Sequence, residues 1–88
     1  DSGFFKVRFD KATNRQKLFM YAMLDCDGLP CTISQVAAHM HTEVQRISPL
    51  RAQLISKEFI YPSQYGQIDF TVPHFDKFLQ RNANLMPV

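Results

Sequence analysis

Three Thr-x-x-Gln tetrads constrain this chain more than any other feature: Thr13 with Gln16, Thr32 with Gln35, and Thr42 with Gln45. In each, the Thr hydroxyl can accept from one of the free amides that open a helix, while the Gln side chain returns to the amide of the capping residue. Each tetrad therefore predicts a helix start, and apolar residues follow at three-and-four spacing. The first helix is expected over residues 13–25, with Gln16, Phe19, Met20, Met23 and Leu24 on one face. Asp27-Gly28-Leu29-Pro30 stops it, and Cys31 and Thr32 make a very short extended piece. The second helix, residues 33–40, buries Ile33, Val36, Ala37 and Met40, and only His41 separates it from the third tetrad.

The third helix carries an apolar stripe of Ile47, Leu50, Leu54 and Ile55, yet Pro49 sits inside it. Two readings stand. The helix starts at Thr42 and Pro49 bends it, losing the bond to the Gln45 carbonyl at a cost of about 3 kcal/mol that falls near the first turn. Alternatively, residues 42–47 form an irregular turn, Ser48 caps, and Pro49 takes the first helical position, where its missing amide costs nothing. The continuous, distorted helix is favoured because Ile47 must stay in core register.

Beyond the third helix the period changes to two. Phe59 and Tyr61 lie on one arm and Ile68, Phe70 and Val72 on the other, around a Ser63-Gln64-Tyr65-Gly66-Gln67 turn, which predicts a hairpin. Pro73 occupies a place where a helix can begin, and Phe75, Phe78 and Leu79 give it a short stripe through about Arg81. At the front, Phe5, Val7 and Phe9 alternate with Lys6 and Arg8, as in a strand or extended arm. The division expected is an extended arm or linker over residues 1–11 from an upstream domain, a folded domain over 12–81, and a loosely docked tail over 82–88. The start without Met, in mid-pattern, fits a piece of a longer protein.

Helix, short strand, helix, tight turn, helix, hairpin is the order of an α+β winged helix-turn-helix: a three-helix bundle with a small antiparallel wing, here followed by a short C-terminal helix. The 88 residues suffice for one core, and 45% hydrophobic against 20% charged residues excludes a disordered chain. No apolar run approaches a membrane span and no signal peptide is visible, so a cytoplasmic, membrane-free protein is expected. Cys26 and Cys31 are expected as free thiols, since two cysteines do not make a secreted disulfide framework. His39 and His41, two apart at a helix end, diverge and lie outside any zinc-ligand spacing. No acid–base partner supports a nucleophilic Cys26, and no small-molecule substrate or cofactor is implied.

The segments GFFKVRFDKATNRQ, ISPLRAQLISKEFIY and GQIDFTVPHFDKFLQR carry a resemblance to a known family. Together they make the chain look like the C-terminal winged-helix domain of bacterial and archaeal AAA-type ATP-binding proteins, ATPases distantly akin to origin-recognition and initiator proteins. The resemblance implies an ATPase parent whose upstream domain is one partner. This stretch itself has no Gly-rich Lys-Ser/Thr loop and is expected to be non-catalytic.

In a helix-turn-helix the polar face of the third helix enters the major groove, where Arg pairs with guanine and Gln with adenine. That face holds Glu43, Gln45, Arg46, Ser48 and Gln53, with Gln45 and Arg46 the best base readers. Lys11, Arg15, Arg51 and Lys57 are candidates for phosphate contact, which needs only charge and reach. A net charge of +2 permits duplex DNA as partner without demanding it. The wing tip offers Gln64, Tyr65 and Gln67 but no cation, so weak affinity is expected. The competing expectation is a protein-interaction module of the same fold, docking on its own ATPase domain or on a partner; steep salt dependence separates the two.

Overall fold

The first two tetrads cap helices as expected. In the computed structural model, which describes residues 2–87, the Thr13 hydroxyl accepts from the Gln16 amide at 3.2 Å and Gln16 Oε1 accepts from the Thr13 amide at 3.0 Å. The Thr32–Gln35 pair repeats the geometry at 3.2 and 2.9 Å. These caps open α2 (Asn14–Asp25) and α3 (Ile33–His39), and the third expected helix is α4 (Val44–Ser56). Phe19, Met20 and Met23 of α2, Val36 and Ala37 of α3, and Ile47, Leu50 and Leu54 of α4 meet in one core.

Two strands follow α4. β2 (Ile60–Gln64) and β3 (Gln67–Phe70) form an antiparallel hairpin, and the two-residue β1 (Cys31–Thr32) joins the far edge, giving the order β1-β3-β2. Cys31 pairs with Ile68 and Thr32 with Gln67, which ties the start of α3 to the hairpin. The tip is tighter than the expected five-residue turn: only Tyr65 and Gly66 lie outside the strands, Gly66 at φ +75. Ser63 sits at a register shift between Pro62 and Gln64, and Pro62 is tolerated because β2 is an edge strand whose missing donor need not face a neighbour. Phe59 and Tyr61 do not share a face. Phe59 ends the turn out of α4 and is buried beside the equally buried Ile60, while Tyr61 points outward.

The segment read as an extended arm is instead a helix, α1 (Ser2–Asp10). Strand spacing would align Phe5, Val7 and Phe9. Helical spacing pairs Phe5 with Phe9 and leaves Phe4 and Val7 outward, 55% and 61% exposed. What decides the contest is α5 (Phe75–Arg81): Phe5 meets Phe75 and Phe78 at ring distances of 5.5 and 5.4 Å, and the fully buried Phe9 packs edge-on to Tyr21 at 5.8 Å. Burying two large rings outweighs exposing one Val and one Phe.

Pro73 does not begin α5. It is the second residue of a turn closed by the Phe75 amide on the Val72 carbonyl at 3.2 Å, and His74 takes the left-handed conformation at φ 68, the pattern of a type II turn. The tail is also better anchored than expected. A 3-10 turn spans Ala83–Leu85, the Tyr21 hydroxyl donates to the Asn82 carbonyl at 2.6 Å, and Asn82 Nδ2 donates to the Phe78 carbonyl at 2.8 Å. Among the described residues, five α-helices and a three-stranded antiparallel sheet thus make a small α+β domain. Among the described residues no helix is long and apolar enough to cross a membrane.

Candidate nucleic-acid interface

The junction between α3 and α4 is built from backbone. The His41 amide donates to the Ala38 carbonyl at 3.2 Å and the Thr42 amide to the Ala37 carbonyl at 3.0 Å, with His41 at φ 56, which is a Schellman closure of α3. The Thr42 amide thus bonds back to α3 and is not offered to the Gln45 side chain. Glu43 takes the cap position instead, in extended conformation and without a side-chain bond, so the third tetrad is not a capping box. The same closure ends α4: Glu58, at φ 66, donates to Ile55 and Phe59 to Leu54, both at 3.0 Å, while Phe59 and Leu54 are buried together. Two left-handed non-glycine residues, His41 and Glu58, thus fix both ends of the pairing between α4 and its neighbours.

α4 is continuous through Pro49. The reading in which Ser48 caps a later start is excluded, because Ser48 lies inside the helix and its hydroxyl donates back to the Val44 carbonyl at 3.0 Å. With no amide at 49, the Gln45 carbonyl lacks its usual helical donor, and both residues are exposed. At about 100° per residue, Gln45, Pro49, Ala52 and Ser56 share the outward ridge, opposite the buried Ile47, Leu50 and Leu54. The ridge is small and uncharged. Arg46 flanks it in the first turn, exposed and without a side-chain partner among the described residues, and the half-buried Arg51 lies on the other side.

The remaining candidates divide. Gln53 and Lys57 are engaged inside the protein: Gln53 Oε1 accepts from Gln16 Nε2 at 2.7 Å, and Lys57 Nζ donates to Gln16 Oε1 at 2.9 Å and to the Lys11 carbonyl at 3.3 Å. Gln16, only 2% exposed, thus serves the α2 cap and the α4 C-terminus at once. Sequence spacing put Gln53 and Lys57 on the free surface because the bonds that hold them span 37 and 41 residues. Lys11 and Arg15 are exposed at the start of α2, away from the first turn of α4 in the chain. Gln64 and Tyr65 project from the hairpin tip, Tyr65 fully into solvent, whereas Gln67 is half-buried.

Charge is unevenly spread. Lys6, Arg8, Lys11, Arg15 and Lys17 fall within twelve residues against the single acid Asp10, which pairs with Lys6 at 2.9 Å. Arg8, which sequence reading passed over, donates from a terminal nitrogen to the Glu58 carbonyl at 3.1 Å and lies over the Phe59 ring at 5.5 Å. Only the recognition of α1 as a helix would have exposed its role.

Cys26 and Cys31 are free and buried. Burial pushes the Cys26 thiol up, and burial with the neighbouring Cys26 pushes Cys31 from 9.0 to about 12, so neither is a ready nucleophile at neutral pH. Among the described residues, no group of three or more His, Cys, Asp or Glu gathers as for a metal.

These features define a small α+β domain whose exposed helix is presented between a backbone-locked turn and a β-hairpin. A family model described as a domain of unknown function (DUF8462) matches residues 2–79, and the chain belongs to that family. The match takes in α1 as well as the segment that follows it. No curated protein and no solved structure matches the chain.

Proposed function

We propose that the domain is a winged helix-turn-helix that binds duplex DNA, with α3 and α4 as the helix pair, α4 as the groove-facing helix, and the β2–β3 hairpin as the wing. The observation that carries this reading is the first turn of α4. The Schellman closure at His41 presents Gln45 and Arg46 exposed at the helix N-terminus, where groove-reading residues of such helices lie. The small ridge of Gln45, Pro49, Ala52 and Ser56 suits close approach to base edges, with Arg46 and Arg51 on its flanks for guanine or phosphate. Lys11 and Arg15 are the further phosphate candidates; Gln53 and Lys57 support the fold first. The module itself carries no chemistry, and its parent is proposed to be an AAA-type ATPase, on the resemblance carried by GFFKVRFDKATNRQ, ISPLRAQLISKEFIY and GQIDFTVPHFDKFLQR.

The second reading, a docking module for its own ATPase domain or another protein, draws on the uncharged ridge and the solvent-exposed Tyr65 of a tip without cations. Duplex binding at low salt by wild type, Arg46→Ala and Gln67→Ala separates the two. DNA reading predicts that Arg46→Ala loses about 1–3 kcal/mol in a sequence-selective way if it reads a base, or less and uniformly if it holds a phosphate, while Gln67→Ala stays near wild type. Equal binding by all three, or none, favours the protein-docking reading.

A further inference from the structure

The C-terminal ends of α1 and α4 converge, and each is closed by a cation from the other. Arg8 of α1 holds the Glu58 carbonyl just beyond α4, and Lys57 at the end of α4 holds the Lys11 carbonyl just beyond α1. The exchange neutralises two carbonyl ends, where positive charge is favourable. It also leaves Arg8, Lys11 and Lys57 lining one notch of about 290 Å³, with Phe59 as its apolar wall. No carboxylate lines the notch, and among the described residues none of the three cations forms an ion pair.

Carbonyl capping does not use these groups up. The Arg8 guanidinium lies over the Phe59 ring at 5.5 Å and has committed one terminal nitrogen, while its Nε is buried with no acceptor. The Lys11 side chain is exposed and unpartnered, and only its carbonyl is used. A buried guanidinium donor without an acceptor is costly, and three convergent like charges repel one another. A tetrahedral oxyanion relieves the repulsion, since it can take the terminal nitrogens of a planar Arg and two ammonium groups together.

We propose that this notch is a phosphate-binding site, with Arg8 as the oriented fork and Lys11 and Lys57 as point charges. It lies about 16 Å along α4 from Arg46, eleven residues at 1.5 Å each, and does not rest on the DNA reading. The phosphate belongs either to a nucleic-acid backbone or to a small phosphorylated molecule; the chemistry of recognition is shared.

The test is a titration of the isotopically labelled chain with inorganic phosphate, followed by amide chemical shifts against a sodium chloride control of equal ionic strength. The expected result is saturable shifts confined to residues 8–12 and 57–59. Lys11→Gln, which leaves every hydrogen bond described here intact, should weaken binding about five- to tenfold. Arg8→Lys, which keeps the charge but not the fork, should do so at least as strongly. Competition by duplex DNA for the same shifts assigns the site to a nucleic-acid phosphate; saturation by phosphate while DNA leaves residues 8–12 unmoved assigns it to a small ligand. Shifts that never saturate, that match the chloride control, or that survive unchanged in folded Lys11→Gln overturn the proposal. Failure of duplex binding alone leaves it standing.

Discussion

Gln16 is the buried polar side chain on which three parts of the fold converge, and replacing it measures that convergence. Gln16→Met keeps length and volume while removing the acceptor for the Thr13 amide, the acceptor for Lys57 and the donor to Gln53. Two neutral hydrogen bonds at about 1 kcal/mol each and one to a charged donor at about 2 kcal/mol give a gross loss of roughly 4 kcal/mol. Lys57 and Gln53 are largely exposed and recover water, and the thioether gains apolar contact, so the net loss expected is about 2 kcal/mol. In urea, with a slope of roughly 1 kcal/mol per molar for a chain of this size, the midpoint should fall by about 2 M. Gln16→Glu retains oxygens for Thr13 and Lys57 but opposes oxygen to oxygen at Gln53, and should lose about half as much. A double-mutant cycle with Lys57→Met should show a coupling of at least 0.5 kcal/mol, a rough threshold for residues in contact. If Gln16→Met lies within about 0.5 kcal/mol of wild type, as an ordinary surface change would, or if the two substitutions are additive, the network does not hold α2 to α4 as argued.

Three further outcomes follow from named features. Glu58→Gly should raise stability by about 1 kcal/mol in denaturant titration, because φ 66 strains any residue with a Cβ and the cap uses only backbone. His41→Gly should act the same way at the other end of α4, with a smaller gain if its ring packs on the surface. Cys31 holds its proton to about 12 in the folded chain against 9.0 ordinarily, so the unfolded state binds fewer protons above pH 9. This group should add no pH dependence at neutral pH and should then lower stability between about pH 9 and 12 by at most about 1.4 kcal/mol per unit; Cys31→Ala should soften that fall in alkaline denaturation curves.

How much of this was visible in the sequence depends on how far each deciding contact reaches. Thr13 and Thr32 were read correctly because a capping box is closed by a partner three residues away. Thr42 carries the same tetrad and fails, because its amide bonds back to the Ala37 carbonyl and the cap position of α4 falls one residue later, on Glu43. Phe5, Val7 and Phe9 satisfy period two, and Phe5 with Phe9 equally satisfies a four-residue step; only α5, some seventy residues on, chooses between them. Pro73 fits a helix start and a type II turn alike, and the left-handed His74 that separates them has no sequence signature. Pro49 was legible as interior to the helix because Ile47 had to stay in core register, and Ile47 is buried. For the candidate site, the exposure of Gln45 and Arg46 was legible from periodicity, whereas the capture of Gln53 and Lys57 by Gln16 and the notch around Arg8 depend on contacts between distant elements.

The central claim, a groove-facing α4, is tested most directly by binding of the folded chain to a fluorescent mixed-sequence duplex across a salt series, with Arg46→Ala, Lys11→Gln and Arg15→Gln alongside. Each phosphate neutralised contributes about 0.9 to the slope of log affinity against log salt. Contact through Lys11, Arg15 and Arg51 predicts a slope of roughly −3, reduced by about one in Lys11→Gln and in Arg15→Gln. Arg46→Ala should lower affinity most on the preferred sequence. A slope near zero, or one that none of these substitutions changes, would contradict the account.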